Sequence, residues 1–185
     1  MVNGVMGGEA AAIPERAFER ISSQQLLDGI RADFEERQYL WTGDIDLELY
    51  AEECEFTDPT ISFEGLSRFQ SNMKSLTPVV NALVPREHRR CLLRSLELGE
   101  DGAVRARWRM VGSLSLPWSP RIDLGGETTY TPGSDGRIRS YSERWDIDAA
   151  EALLQLLKPA TRAVDHWPLQ ISGAAPPKPE VGCAA

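Results

Sequence analysis

The longest regular pattern in the chain is a stripe formed by Leu66, Phe69, Met73, Leu76, Val80 and Leu83, spaced by three and four residues, which predicts an amphipathic helix. Pro78 lies inside the stripe and predicts a kink or break near Leu76, because proline removes a backbone donor and crowds the preceding turn. An earlier helix is predicted from Ser22 and Gln25, which have the spacing of a capping box. Leu26, Leu27, Ile30, Phe34 and Trp41 share one face of it, and Thr42-Gly43-Asp44 ends it. Residues 45–51 read as a second, short helix with Leu47 and Tyr50 turned inward. A short strand over 54–57 meets a turn at Asp58-Pro59, and Ile61-Ser62-Phe63 returns as its partner.

Beyond residue 90 the period changes from helical to alternating. Residues 90–98 and 103–116 form two strands joined by Gly99-Glu100-Asp101-Gly102, a hairpin signal. Val104, Ala106, Trp108, Met110, Gly112, Leu114 and Leu116 share one face of the second strand, and Arg105, Arg107, Arg109, Ser113 and Ser115 share the other, so one face is buried and one is polar. A further hairpin pairs 127–131 with 137–145 and places Tyr141, Glu143 and Trp145 on one face. Asp148, with Glu151 three residues on, opens a last helix that stops at Pro159. Helices, then long antiparallel strands, then a closing helix predict an α+β fold in which a curved sheet wraps the helices as a cone with an open mouth, a shape that commonly holds small molecules.

The length of 185 residues fits one domain, placed at 22–170 between a flexible segment at 1–21 and a Pro/Ala-rich tail at 171–185. Acidic side chains outnumber basic ones 28 to 20, a formal charge of −8 that argues against nucleic-acid binding. No apolar run approaches the roughly 18 residues of a membrane span. Cys54, Cys91 and Cys183 are scattered and odd in number, which argues against a disulfide framework or structural zinc. His88 and His166 are predicted to be exposed. Asp44-x-Asp46 and Asp146-x-Asp148 are explained as helix starts rather than metal ligands. No nucleotide, hydrolase or zinc-protease motif occurs, so neither a metal nor a cofactor is expected.

The candidate chemistry lies on the inward face. Phe56, Phe63, Trp108, Met110, Tyr141 and Trp145 either line a ligand cavity or form ordinary core. Glu143, an acid among them, must find partners or take a raised pKa. With Asp58 at the mouth, and Glu52 near it, Glu143 and Tyr141 are the catalytic candidates for proton transfer next to a carbonyl. On the opposite face Arg90, Arg94, Arg105, Arg107 and Arg109, with Arg86 and Arg89 beside them, form a candidate partner surface unless neighbouring acids pair with them.

Three stretches carry a family resemblance: Leu49-Tyr50-Ala51-Glu52-Glu53-Cys54-Glu55-Phe56-Thr57-Asp58-Pro59 with Phe63-x-Gly65; Arg107-Trp108-Arg109-Met110; and Leu116-Pro117-Trp118-Ser119-Pro120 running through Gly126, Tyr130 and Gly136 to Trp145-Asp146. Over 22–157 the chain resembles an uncharacterised domain of plants, algae and cyanobacteria within the nuclear-transport-factor-2-like, or SnoaL-like, superfamily. The resemblance implies the same cone, homodimers through the sheet and a chloroplast location. Because some plant members join this domain to a SOUL-type haem-binding domain, it also implies a pigment or tetrapyrrole-like ligand. Ketosteroid isomerases, polyketide cyclases and scytalone dehydratase share the superfamily, but none of their complete catalytic sets occurs here. Members of the nearer family tend to carry Ser-His-x-Asp-x-Trp-Asp where this chain has Ser140-Tyr141-Ser142-Glu143-Arg144-Trp145-Asp146.

Three functions follow as expectations. The first is a non-catalytic domain for a hydrophobic small molecule. The alternatives are an isomerase, cyclase or dehydratase using Asp58 and Glu143, and an interaction module acting through the arginine face.

Overall fold

A computed structural model describes residues 20–159. The readings made for His166, Cys183, the 171–185 tail and nearly all of the 1–21 segment lie outside these residues.

The capping box forms as predicted: Ser22 Oγ accepts from the Gln25 amide and Gln25 Oε1 accepts from the Ser22 amide. Helix α1 (Ser23–Glu35) is shorter than predicted, because Gln38 adopts a left-handed backbone (φ 54°) and turns the chain into a separate short helix, α2 (Tyr39–Thr42). Trp41 therefore sits on α2, where its indole N–H donates to the Arg90 carbonyl at 3.1 Å. The helix predicted over 45–51 is not formed. Leu47–Leu49 make one 3-10 turn capped by Asp46, and Tyr50 and Ala51 open strand β1 (Tyr50–Thr57). Sheet pairing overrides the weak local helical signal there, since Tyr50 registers with Ile138 across a strand junction.

Strand β2 (Ser62–Glu64) turns back on β1 and leads into α3 (Leu66–Leu83), which runs unbroken through Pro78. The carbonyl that the proline leaves without an intrahelical donor belongs to Lys74, and both residues are exposed, so water can serve it. Thr77 anchors this turn by donating its hydroxyl to the Thr42 carbonyl at 2.8 Å. The stripe on α3 lies at the rim of the fold rather than deep in it. Leu66 is its one buried member and Leu76 is exposed.

The remaining strands are β3 (Arg89–Leu98), β4 (Val104–Ser113), β5 (Arg121–Pro132) and β6 (Ile138–Trp145), followed by α4 (Ala149–Leu154). The six strands form one sheet in the order β2-β1-β6-β5-β4-β3. Every junction is antiparallel except the one between β1 and β6. Strand β5 starts earlier than the pattern predicts, because Gly125 and Gly126 blur the alternation. Gly126 is required there: a Cβ would lie 2.6 Å from the Trp108 ring and 2.5 Å from the Arg144 carbonyl oxygen. Gly112 makes the same kind of space for Trp41, whose ring would lie 2.7 Å from an added Cβ.

Leu26, Ile30 and Phe34 from α1 pack with Val104, Ala106, Tyr130 and Ile138 from the sheet in one continuous core. The arrangement is the predicted α+β cone, a curved sheet with the N-terminal helices on one face. Asp148 caps α4 by accepting from the Glu151 amide at 2.8 Å, as the sequence predicts. Gln155, one residue past α4, fixes this helix to the sheet by exchanging two hydrogen bonds with the backbone of Asp123.

Candidate functional site

The strand alternation that turns Tyr141, Glu143 and Trp145 inward also places both polar neighbours beside the carboxylate. Tyr141 donates its hydroxyl to Glu143 Oε2, and the Trp145 indole N–H donates to Oε1 at 2.6 Å. Glu143 is half-buried, and burial holds its pKa above the ordinary glutamate value despite these two donors, with the charge of Asp58 acting in the same direction. Asp58 comes near because β1 and β6 run parallel. Thr57 registers with Ser142, so the next residue of each strand falls at the same level. Asp58 Oδ1 is already the acceptor for the Thr60 amide, the Thr60 hydroxyl and the Ile61 amide, which makes it the pivot of the β1–β2 turn as well. Glu52 is exposed on β1 and takes no part.

The predicted aromatic lining separates into two groups. Phe63, Met110 and Trp145 are half-buried and remain reachable at the same concave face as Glu143 and Asp58. Phe56, Trp108 and Tyr141 are buried. Phe56 stacks against Tyr50, Phe63 and Phe69 with centroids 4.7–5.8 Å apart. Trp108 is 3% exposed and donates to Thr128 Oγ1 at 2.9 Å, so it acts as core.

Two tyrosines not singled out as site residues complete the cluster. The Tyr39 hydroxyl lies 3.0 Å from that of Tyr130 and 3.1 Å from that of Tyr141. All three phenols are buried, and burial pushes their pKa values well above the ordinary range, so they are proton-bearing donors at any physiological pH. The sequence signal that could have found them is burial itself, since an inward tyrosine needs a partner for its hydroxyl. Cys54 and Cys91 are buried and their thiols are pushed up to about 12, which makes them inert packing groups rather than nucleophiles. Among the described residues no group of three or more His, Cys, Asp or Glu side chains is arranged to hold a metal ion.

The arginine face lies on the opposite side of the sheet and is largely neutralised. Arg109 grips Asp123 with two bonds of 2.6 and 2.7 Å, Arg107 and Arg144 share Glu127, and Arg105 pairs with Asp101. Arg90 donates to the Arg86 and Arg89 carbonyls. Arg94 is exposed at the irregularity between Leu93 and Ser95, beside a cleft of about 320 Å³ that Arg107 and Arg109 also line. A larger groove of about 580 Å³ runs between α3 and residues 42–47, away from Glu143.

With this geometry in place, comparison with known proteins resolves the family. Residues 24–141 match the family described as an uncharacterized conserved protein, DUF2358. The chain belongs to this family. No match is found among curated proteins.

Solved structures share the fold. The epoxide hydrolase/cyclase-like enzyme SalBIII, from pyran ring formation in the polyether salinomycin, is 18% identical with a TM-score of 0.50, covering 68% of this chain and 94% of its own. Bal32a, from a soil-derived mobile gene cassette, is 15% identical with a TM-score of 0.53 and covers 71% and 95%. AclR, a putative hydroxylase from Streptomyces galilaeus, is 12% identical with a TM-score of 0.50 and covers 77% and 85%. The DUF2358 chain therefore has the nuclear-transport-factor-2-like, or SnoaL-like, fold. Among its described residues no helix is long and apolar enough to cross a membrane.

Proposed function

We propose that this DUF2358 domain binds a largely apolar small molecule against the mouth of the cone, with Glu143 meeting the polar end of that ligand. One observation carries the reading: a half-buried carboxylate, held by Tyr141 and Trp145, stands on the sheet face that also carries the half-buried apolar side chains Phe63, Met110 and Trp145. A structural core has little use for an acid there, because its desolvation opposes folding unless something is gained at the site. The deep part of the cone is filled by Tyr39, Tyr130, Trp108 and Phe34, so the ligand rests on the rim rather than inside. The family resemblance extends the ligand class to a plastid pigment or tetrapyrrole-like compound. It also supports a homodimer through the sheet, and pairing by the arginine-bearing face would leave the mouth on the opposite side open.

The test is fluorescence titration with Nile red, an apolar probe. Phe63→Ala and Trp145→Ala are expected to weaken its binding several-fold. Binding unchanged in both variants would place the probe elsewhere, such as the groove beside α3, and overturn the reading. Native mass spectrometry of the protein from its source, with a co-purifying pigment expected, tests the ligand class.

A second reading is favoured by the proximity of Asp58 to Glu143: an acid–base enzyme of the isomerase, cyclase or dehydratase type. Glu143 as carboxylate would take a proton from the carbon next to a carbonyl, leaving an enolate, and return it at another position. Tyr141 cannot at the same time donate to the substrate, since its single proton is committed to Glu143. Deuterium uptake from heavy water by the ketone 2-tetralone, followed by NMR, supports this reading if Glu143→Gln abolishes it. The absence of uptake in the native protein argues against it.

A further inference from the structure

The donors and acceptors around Glu143 determine what kind of polar group its ligand can present. A tyrosine hydroxyl carries one proton. With Glu143 as the carboxylate, Tyr141 gives it its proton, so the contact between Tyr141 and Tyr39 is then a donation from Tyr39. Tyr39 has then used its own proton, so the contact with Tyr130 must be a donation from Tyr130. The order is fixed without choice: Tyr130 donates to Tyr39, Tyr39 to Tyr141, and Tyr141 to Glu143. Each bond polarises the next in the same direction, and all of them favour negative charge on Oε2. Trp145 adds a donor on Oε1.

The groups facing Glu143 from the surrounding elements are Asp58 after β1, Tyr39 on α2, Cys91 on β3, and Tyr130 on β5. Among the described residues the one charged group acting on Glu143 is the anion Asp58, while the Arg68 guanidinium at the mouth lies 5.8 Å over the Phe63 ring. Glu143 already has one donor on each oxygen, and its remaining lone pairs accept.

We propose that Tyr39 and Tyr130 are positioning residues that hold Glu143 as a hydrogen-bond acceptor, so that the ligand of this site is an apolar molecule ending in a donor, an O–H or N–H group, and not a carboxylate or other anion. This inference rests on the reading of the mouth as a ligand site and specifies the ligand for it.

Three bicyclic probes of nearly equal apolar area separate the outcomes at pH 8, where 2-naphthol still carries its proton: 2-naphthol, 2-naphthoate and naphthalene. On the full chain, 2-naphthol is expected to bind at least about tenfold more tightly than 2-naphthoate, the scale of one hydrogen bond to a charged acceptor. Equal or tighter binding of 2-naphthoate overturns the inference. If none of the three binds, the ligand-site reading itself fails, and the hydroxyl chain is tested separately in ligand-free protein.

That second measurement follows the Glu143 carboxyl by NMR with carbon-13-labelled glutamate. Tyr39→Phe is expected to raise its titration midpoint, and Tyr130→Phe to raise it less, because each removes a donation that strengthens the next. Should either variant fail to fold, 3-fluorotyrosine incorporated at all 4 tyrosines of the chain replaces it as the test. The more acidic phenols donate more strongly, so the midpoint falls. A midpoint indifferent to Tyr39→Phe and to fluorination means that the chain does not act on Glu143.

Discussion

Gln38 and Cys91, 53 positions apart, exchange a reciprocal pair of hydrogen bonds in which a side-chain amide takes the place of a neighbouring strand. Gln38 Oε1 accepts from the Cys91 amide at 2.6 Å, and Gln38 Nε2 donates to the Cys91 carbonyl at 3.1 Å. The same Nε2 donates to the Phe34 carbonyl at 2.8 Å, so one carboxamide closes both the end of α1 and the open edge of β3. These bonds hold the residue in a left-handed conformation that glutamine otherwise avoids. Gln38→Ala is accordingly expected to cost about 1–3 kcal/mol, read as a lower urea midpoint, with buried backbone groups left unsatisfied. An unchanged midpoint would show that water replaces the amide without loss.

Asp33 gives a pH prediction. It is 2% exposed, accepts from Arg37 and from the Asp46 amide on Oδ1, and leaves Oδ2 buried without a partner. Burial raises its pKa to about 7. The folded value lies above the unfolded one, so the folded protein holds the proton more tightly. The resulting stabilisation is complete below about pH 4 and is lost as pH rises towards 7, a change on the order of 4 kcal/mol. Asp33→Asn is expected to flatten this part of the pH–stability curve, measured by urea unfolding at a series of pH values.

Glu143 has the same sign. Its folded pKa lies above the usual value because burial outweighs its two donors. The ionised form therefore lowers stability as pH rises through the folded value, and Glu143→Gln is expected to gain stability at neutral and alkaline pH while losing the proposed binding. A carboxylate whose removal stabilises the fold but weakens probe binding is one kept for the site.

These residues show what a sequence can and cannot disclose. Strand alternation alone turned Tyr141, Glu143 and Trp145 to one face, and Asp58 was legible from its turn. The split of the aromatic set was not legible, because whether Trp108 faces a cavity or packs against Thr128 depends on the distance to the helices. Tyr39 and Tyr130 escaped for a related reason. Their hydroxyl contacts join residues 91 and 102 positions apart, and no local pattern encodes which phenol meets which. Pro78 was read correctly as a missing donor, but its consequence depended on exposure, which leaves the freed carbonyl to water.

Gly126 should tolerate little. Gly126→Ala would drive a methyl into the Trp108 ring and the Arg144 carbonyl, and backbone cannot yield as a flexible side chain would. A loss of about 1–3 kcal/mol is expected in thermal or urea unfolding, together with altered Trp108 fluorescence.

The outer-face ion pairs should matter far less to stability. Arg107→Ala breaks a 3.2 Å contact between Glu127 and an exposed guanidinium. The expected cost is below about 1 kcal/mol, and smaller still in high salt. Sedimentation of Arg107→Glu beside the native chain tests the proposed dimer through this face, with a lower mass expected for the variant.

The single parallel junction, between β1 and β6, makes the mouth a product of chain closure. Asp58 directly follows the first strand and Glu143 lies on the last, so the two carboxylates meet only once the 84 residues between them are in place. A chain that has emerged only as far as β5 carries α1 to α3 and the β1–β2 hairpin but has only one of the two acids. The binding proposed for the mouth thus requires the closed sheet: a species in which β6 has not joined β1 lacks the paired acids.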